Sequence, residues 1–313
     1  MKALHLYHII RWNVGMGNIG IHSRKEQRFI CHECQKTFSA RKGTVFYRLR
    51  TSAETVVIVV TLLAHGCPLK AIVAAFGFDE RTIAAWWARS GRQGQAVHEY
   101  LVEQPRDLGQ VQTDERRVKK QGGIVWMALA MMIKTRLWLG GEVSEQRDMA
   151  LIRRLVERVK RCAARRPLLV CTDGLVSYLR AMRETFRDPI HTGKGGRPRL
   201  RPWRNVLIAQ VVKRYERRRV VETDRRIVDG TPTRVETLRQ RSQGHGVINT
   251  AYIERLNATF RARLAPLARR CRALARQTLT LHEGMFLVGT VYNFCTPHES
   301  LSHAQKTTPA MAA

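Results

Sequence analysis

The chain has 313 residues, of which 44% are hydrophobic, and its 55 lysines and arginines outnumber its 25 aspartates and glutamates, for a formal net charge of +30. A positive charge of this size attracts polyanions, above all the phosphate backbone of nucleic acids. No apolar run approaches the roughly 20 residues that span a bilayer, and no signal-peptide pattern opens the sequence, so we expect a cytoplasmic protein with no membrane partner.

The N-terminal segment contains the one close cysteine pair, Cys31 and Cys34, and an odd total of seven cysteines argues against a disulfide framework. A Cys-x-x-Cys turn supplies two thiolates to zinc, but a structural zinc site needs four ligands. His5, His8 and His22 lie in the same segment, and none stands at a spacing that requires it to be a ligand. Two interpretations therefore stay open, a zinc site and a turn without metal.

Residues 51–105 have the apolar pattern of helices, which we predict over 55–63, 69–76 and 80–92. Gly77 is expected to end the second helix and Asp79 to cap the third. Two short helices separated by a glycine, the second basic and aromatic, resemble a helix-turn-helix DNA-binding module. A helical hairpin that only packs is the alternative. The face predicted to contact bases comprises Arg81, Thr82, Ala85 and Arg89.

Beyond a predicted linker at residues 103–109, the apolar pattern changes from a helical to a strand period. In chain order we predict strands over 110–118, 124–133 and 136–143, a helix over 148–164, a strand over 167–172 and a helix over 175–186. This order predicts an α/β domain with a mixed sheet and flanking helices, preceded by an all-α segment and a small cysteine-containing segment.

Three acidic residues occupy positions that these elements would hold in place. Asp114 lies on the first predicted strand of the α/β domain, Asp173 follows the fourth, and Glu254 lies on an amphipathic helix. Glu115 would point to the opposite face of its strand, so we exclude it. Mg²⁺ prefers oxygen ligands, and two such ions about 4 Å apart can activate a nucleophile and stabilise a leaving oxygen in phosphoryl transfer. The trio predicts a two-ion site bridged by Asp114, with three separate salt-bridged acids as the alternative.

The helix around Glu254 has two distinct faces at about 100° per residue. Glu254, Asn257 and Arg261 project from the polar face. The apolar stripe, which we expect to pack on the sheet, comprises Ile253, Leu256, Phe260 and Leu264.

Residues 248–261 resemble the acidic helix of the DDE transposases of bacterial insertion sequences, and the order of the three acids is similar to theirs. The acids are 59 and 81 residues apart, which this superfamily tolerates, and Arg261 stands seven positions after the glutamate, where the family has a basic residue. The resemblance implies an RNase H-like catalytic domain over residues 106–313. It also implies the catalytic residues Asp114, Asp173, Glu254 and Arg261.

The family resemblance further implies a homo-oligomeric enzyme that binds the inverted repeats at the ends of its element. It would cleave double-stranded DNA with two Mg²⁺ or Mn²⁺ ions and join the 3′ ends to a target. Relatives carry a second Cys-x-x-Cys upstream to complete a zinc ribbon, whereas residues 1–30 contain no cysteine. We therefore interpret residues 1–50 as zinc-ribbon-like, with the zinc lost or the first segment missing or altered. The alternative function is a DNA-binding protein without activity, either a helix-turn-helix regulator or a decayed transposase copy.

Residues 188–246 are expected to form a basic insertion in the catalytic domain. We predict a loop broken by Gly and Pro, a β-hairpin and a helix, over 191–204, 205–228 and 231–241. The loop lacks the phosphate-loop spacing, and the dinucleotide fingerprint at 15–20 does not follow a strand, so no nucleotide cofactor is expected. A solvated basic surface is one interpretation of the loop. The other is a grip on DNA phosphates by Arg197, Arg199 and Arg201.

Overall fold

The computed structural model describes residues 18–190, 196, 198–217, 219–267, 275–302 and 304–313. His5, His8 and Arg197 lie outside the described residues, so the interpretations that concern them stay predictions. Within those ranges no helix combines the length and the apolar character that crossing a membrane requires.

The N-terminal segment is a three-stranded antiparallel sheet that we did not predict. Its strands, in order across the sheet, are β1 (Ile19–Ser23), β2 (Arg28–Cys31) and β3 (Thr37–Ser39). Phe29 and Phe38 stack with their ring centroids 5.9 Å apart. The strands are only three to five residues long, too short for an alternating pattern to stand out in the sequence.

Three helices follow this sheet, namely α1 (Ala53–Ala64), α2 (Leu69–Phe76) and α3 (Glu80–Leu101). The predicted boundary signals are confirmed. Gly77 ends α2 in the left-handed conformation with φ 69°, and the Asp79 side chain accepts a hydrogen bond from the Arg81 backbone at the start of α3. However, α3 continues to Leu101, well past its predicted end at residue 92.

A six-stranded mixed sheet forms the centre of the molecule. Its strands are β4 (Gln110–Lys120), β5 (Gly123–Met132), β6 (Trp138–Ser144), β7 (Leu168–Thr172), β10 (Val206–Glu216) and β11 (Arg219–Asp229), while β8 (Arg187–Ile190) and β9 (Arg199–Pro202) form a small sheet of their own. The order across the central sheet is β11-β10-β7-β4-β5-β6. β4, β5 and β6 are antiparallel neighbours, and β7 is parallel to both β4 and β10.

The predicted hairpin is confirmed, but it is not a separate insertion. β10 and β11 form the hairpin, and residues 206–210 of β10 pair with β7, so the hairpin extends the central sheet. The reason is the apolar start of β10, where Leu207, Ile208 and Ala209 are buried, whereas the rest of the hairpin is strongly basic.

Helices cover both faces of the central sheet. On one face lie α4 (Met149–Cys162) and α5 (Val176–Thr185), and on the other lie α6 (Pro232–Gln243), α7 (Ala251–Arg263) and α8 (Thr278–Cys295). Single turns of 3₁₀ helix at Ala265–Leu267 and Glu299–Leu301 and the short α9 (Pro309–Ala312) complete the described chain. The predicted α/β class, a mixed sheet with flanking helices, is confirmed.

Two glycines of α3 lie at a close contact between helices. Gly91 is inside the predicted helix and Gly94 is just beyond its predicted end, and both lie where α3 packs closely on α8. A Cβ atom at Gly91 would lie 2.4 Å from the Glu283 carbonyl oxygen, and one at Gly94 would lie 3.0 Å from that of Phe286. The glycines are therefore contact residues within a continuous helix.

The stretch predicted as a linker, residues 103–109, is part of the packed structure. The Glu103 side chain is 7% exposed and accepts hydrogen bonds from Arg158 and Arg161 of α4. Arg158 also donates to Glu142 of β6. The expectation of a linker is wrong, because buried ion pairs join the end of α3 to the sheet.

Adding a methyl group to Gly91 tests the close approach of α3 and α8. We expect Gly91→Ala to lower the free energy of unfolding by about 1–3 kcal/mol, because the strain of overpacking exceeds the gain in helix propensity. Gly123→Ala is the matched control, since nothing lies within 4 Å of the added atom there. Urea unfolding of the two variants measures the difference, and equal stabilities would contradict a tight contact.

Candidate metal centre

The candidate site is a cavity at the end of β7. β7 stops at Thr172, while its two neighbours β4 and β10 continue to Lys120 and Glu216. The pairing of β7 ends at Gln112 of β4 and at Gln210 of β10, so the two longer strands diverge around an open space at the carboxyl end of a parallel strand. This is where ligands bind in open α/β sheets. The cavity has a volume of about 750 Å³, and its charged lining residues are Asp114, Glu115, Arg116, Arg147, Asp173, Lys213, Glu254 and Arg261.

Three carboxylates come together in this cavity. One oxygen each of Asp114, Glu115 and Asp173 lie within 4.8 Å of one another. Two of the three predicted acids, Asp114 and Asp173, are therefore neighbours, although they are 59 residues apart in the sequence. Among the described residues, Glu254 lines the same cavity but is not a member of this 4.8 Å cluster.

Asp114 is a largely buried acid that accepts one hydrogen bond and forms one ion pair. The Asn257 amide of α7 donates to its Oδ2 at 2.8 Å, and Arg116 Nη2 lies 3.1 Å from the same oxygen. Burial raises the pKa of Asp114 to about 7; the positive charge of Arg116 opposes this rise, and the negative charges of Glu115 and Asp173 add to it. The carboxyl therefore titrates near neutral pH when no cation is bound.

Asp173 directly follows β7 and shapes the turn into α5. Its Oδ1 accepts a hydrogen bond of 3.0 Å from the Leu175 backbone. The Asp173 carbonyl accepts another, of 3.1 Å, from the Gln210 amide of β10. The turn is thus tied to the neighbouring strand, which fixes the carboxylate beside Asp114.

Glu254 is positioned by α7 and by Gln112. The Gln112 side chain donates to the Asn249 carbonyl and accepts from the Ile253 backbone, so it anchors the start of α7 on β4. The predicted apolar stripe is confirmed, since Ile253, Leu256, Phe260 and Leu264 are all buried. The predicted polar face also faces the site, because Asn257 contacts Asp114 and Arg261 lines the cavity.

The Glu254 carboxylate forms an ion pair with Lys213. Lys213 Nζ of β10 lies 2.5 Å from its Oε1, and the Thr250 hydroxyl donates to the same oxygen at 2.9 Å. Burial raises the pKa of Glu254, but the hydrogen bonds from Lys213 and Thr250 outweigh it and hold the pKa below its usual value. Glu254 is therefore a charged carboxylate at neutral pH.

Glu115, which the sequence analysis left out of the trio because of its strand face, lies close to the two aspartates. Its partners do lie on the opposite face from those of Asp114, since Arg147, which precedes α4, donates to Glu115 Oε1 at 2.9 Å through Nε. Nevertheless, a Glu115 oxygen belongs to the 4.8 Å cluster. The reason is that, within the described ranges, no strand pairs with this side of β4 between Gln112 and the isolated bridge at Lys120, so side chains from both faces reach the open edge.

Several buried polar atoms of the site have no hydrogen-bond partner among the described protein atoms. They are three oxygens, Thr113 Oγ1, Glu115 Oε2 and Asn257 Oδ1, and one nitrogen, Arg116 Nε. Such atoms are rare in folded proteins, and oxygen atoms grouped around three carboxylates are the donor set that a hard divalent cation prefers. The residues present therefore fit a Mg²⁺ or Mn²⁺ site.

The cysteine pair offers only part of a zinc site. Cys31 is buried at the end of β2 and Cys34 is exposed in the following turn. The backbone NH groups of Cys34 and Glu33 lower the pKa of the Cys31 thiol, which favours a thiolate. Within the described ranges, no third His, Cys, Asp or Glu side chain groups with the two thiols.

The predicted DNA-contacting residues are distributed over two surfaces. Arg81 and Ala85 are exposed on α3, and Thr82 is half-buried. Arg89 donates to the Tyr47 carbonyl at 3.1 Å, which ties α3 to the preceding segment. The other surface is β9, which carries the exposed Arg199 and Arg201.

A scan against models of known protein families and a search among curated proteins both found no match to this chain.

The raised pKa of Asp114 predicts how Asp114→Asn changes stability with pH. The acid has a folded pKa of about 7 against 3.8 when unperturbed, so ionised Asp114 destabilises the metal-free fold above pH 7, and this penalty disappears as the pH falls towards 4. We expect Asp114→Asn to be more stable than the wild type at pH 8, by up to about 4 kcal/mol. The difference should shrink towards pH 4. Urea unfolding in EDTA measures it, and a constant difference would contradict the shift.

Proposed function

We propose that this chain is a metal-dependent DNA transposase of the DDE type, which cleaves and joins DNA strands by two-metal phosphoryl transfer. The observation that carries this proposal is the cavity itself. Asp114 and Asp173 are neighbours at the end of β7, and Glu254 faces the same space from α7. A plain DNA-binding regulator has no need for carboxylates in a cavity.

The topology supports an RNase H-like interpretation of the α/β domain. Three antiparallel strands are followed by a helix and by a strand parallel to the first, as the resemblance implies. Asp114 lies on the first strand and Asp173 follows the fourth, which are the positions of the first two acids in the family pattern. The third acid follows on a late helix packed on the sheet.

The residues divide into metal-holding and phosphate-holding groups. Asp114, Asp173 and Glu254 would hold the Mg²⁺ ions. When bound, these would supply the positive charge that activates a water or 3′-hydroxyl for attack and stabilises the leaving oxygen. Arg116, Lys213 and Arg261 line the same cavity and provide positive charge for the DNA phosphates. Asn257 keeps Asp114 oriented towards the cavity.

The net charge of +30 supports double-stranded DNA as the partner. The exposed start of α3 would contact bases, and Arg199 and Arg201 would contact phosphates at a second surface. A homo-oligomer that holds two DNA ends is part of the proposal and derives from the family resemblance.

The second candidate function is a DNA-binding protein that has lost activity. Two observations favour it. Among the described residues no third metal-binding side chain groups with Cys31 and Cys34, and Lys213 is already paired with Glu254. Both candidates would bind DNA, so a measurement of catalysis is needed to distinguish them.

Cleavage of DNA carrying the sequences that border the protein's own gene tests the proposal. We expect the wild type with Mg²⁺ to produce 3′-hydroxyl ends, and Asp114→Ala to reduce the rate at least about 10³-fold, because a carboxylate that would hold the ions is lost. Glu157→Ala, which removes an exposed acid of α4, is the matched control. Equal cleavage by wild type and Asp114→Ala would remove the mechanism. Binding without cleavage by the wild type would favour the inactive protein.

Lys213 should compete with a divalent cation for Glu254. Because Lys213→Met removes the main donor to this carboxylate, we expect the second Mn²⁺ ion to bind about threefold more tightly or better. Titration followed by electron paramagnetic resonance measures free Mn²⁺ directly. Lys134→Met, at an exposed turn position, should leave the affinity unchanged. Weaker Mn²⁺ binding to Lys213→Met would show that the lysine does not compete.

A further inference from the structure

Glu115 is a buried acid that the two-ion mechanism above does not use. Its side chain is only 1% exposed. Oε1 accepts the hydrogen bonds of Arg147, whereas Oε2 is buried without a hydrogen-bond partner among the described protein atoms. Leaving a buried carboxylate oxygen without a partner costs free energy, so such an atom in a folded protein calls for an explanation.

Among the described residues, no atom forms a hydrogen bond of normal geometry with Oε2. Tyr178 of α5 is close to Glu115, and burial, the negative charges of Glu115 and Asp114 and a side-chain interaction with Glu115 raise the pKa of Tyr178 well above its usual value. The Tyr178 hydroxyl is likewise without a hydrogen bond of normal geometry. Arg147 therefore holds one oxygen of Glu115, and no well-aligned protein hydrogen bond reaches the other.

The distances within the acidic cluster are close to those around a single cation. Oxygens of Asp114, Glu115 and Asp173 lie within 4.8 Å of one another. Mg²⁺ binds oxygens at 2.0–2.1 Å, so two ligands on opposite sides of one ion lie about 4.2 Å apart. Small side-chain movements would bring all three carboxylates onto the same ion.

Glu254 differs from Glu115 in its hydrogen-bond partners and in its distance from the two aspartates. Its Oε1 is held by Lys213 and Thr250, and among the described residues it stands outside the 4.8 Å cluster. The two glutamates therefore differ in their surroundings. Glu115 has an oxygen available beside Asp114 and Asp173, whereas Glu254 is paired with Lys213.

We infer that Glu115 is a metal ligand, and that its Oε2 holds the first ion together with Asp114 and Asp173, while Glu254 serves the second ion. Arg147 is then a positioning residue, which holds Oε1 and leaves Oε2 for the ion. This inference rests on the proposed metal-dependent function and adds a fourth carboxylate to it.

Mn²⁺ binding to the full chain, measured by electron paramagnetic resonance, tests the role of Glu115 without requiring catalysis. The informative variant is Glu115→Gln combined with Arg147→Gln, which replaces an ion pair by a neutral pair and leaves the net charge of the site unchanged. A loss of affinity in this variant cannot be attributed to a change in net charge. We expect the tightest Mn²⁺ ion to bind at least about 10-fold more weakly. Glu157→Gln is the control for a surface acid, and Glu254→Gln should retain the first ion.

The outcomes separate the inference from the proposed function. If the double variant binds Mn²⁺ like the wild type while Asp114→Asn does not, Glu115 is structural only and the inference is overturned, but the metal site stands. If the wild type binds no Mn²⁺, or Asp114→Asn binds it unchanged, the proposed function falls and the inference falls with it.

The rise in Tm on adding Mn²⁺, measured for each variant against its own metal-free form, gives a second readout for variants of reduced stability. The same measurement on Glu115→Gln alone should show a smaller rise than in the wild type, and an equal rise would also overturn the inference.

Discussion

The candidate site depends on one constraint, the difference in length between β7 and its two neighbours. β7 has 5 residues, whereas β4 and β10 have 11 each. Where β7 stops, the edge of β4 loses its hydrogen-bonded neighbour and becomes the wall of a cavity. Side chains that alternate between the two faces of the sheet can then reach the same space. Because of this open edge, the side chains of Asp114 and Glu115 both reach the same cavity.

A second requirement is the balance of charge in the cavity. Three carboxylates within 4.8 Å repel one another, and each of the two acids on β4 is next to an arginine, Arg116 or Arg147. Lys213 performs the same role for Glu254. A strongly basic chain thus keeps its few clustered acids ionisable by surrounding them with cations, and these cations are also suited to contacting phosphate groups.

Much of the fold could be predicted from the sequence, and the failures have physical causes. The strands at Asp114 and Asp173 were predicted because long apolar runs mark buried strands. The apolar stripe of α7 was predicted from its helical period. The length of α3 was not, because its last turns pack on α8 through long-range contacts, such as that of Gly94, which no local pattern reveals.

The site itself could be predicted only in part. Asp114, Asp173 and Glu254 carry local signals, since each stands at a defined position on an element. The proximity of Glu115 depends on where β7 ends relative to β4, and the pairing of Lys213 with Glu254 joins residues 41 positions apart. The alternation of side chains along a strand predicts the face on which Glu115 lies. It does not predict that the long Glu115 side chain comes close to Asp114 and Asp173 where the sheet is open.

If the proposed function holds, the close packing of α3 on α8 has a geometric consequence for where DNA would be cut relative to the sequence that α3 contacts. α3 has 22 residues and is therefore about 33 Å long, close to one turn of B-DNA at about 34 Å. Its exposed start is at one end of this rod, and the other end is fixed to the sheet by Glu103 and its two arginines. The helix would thus act as a ruler, and the phosphodiester presented to the carboxylates would be set by counting base pairs from the bound sequence. One base pair added between them would rotate the scissile phosphate by about 36° around the duplex axis.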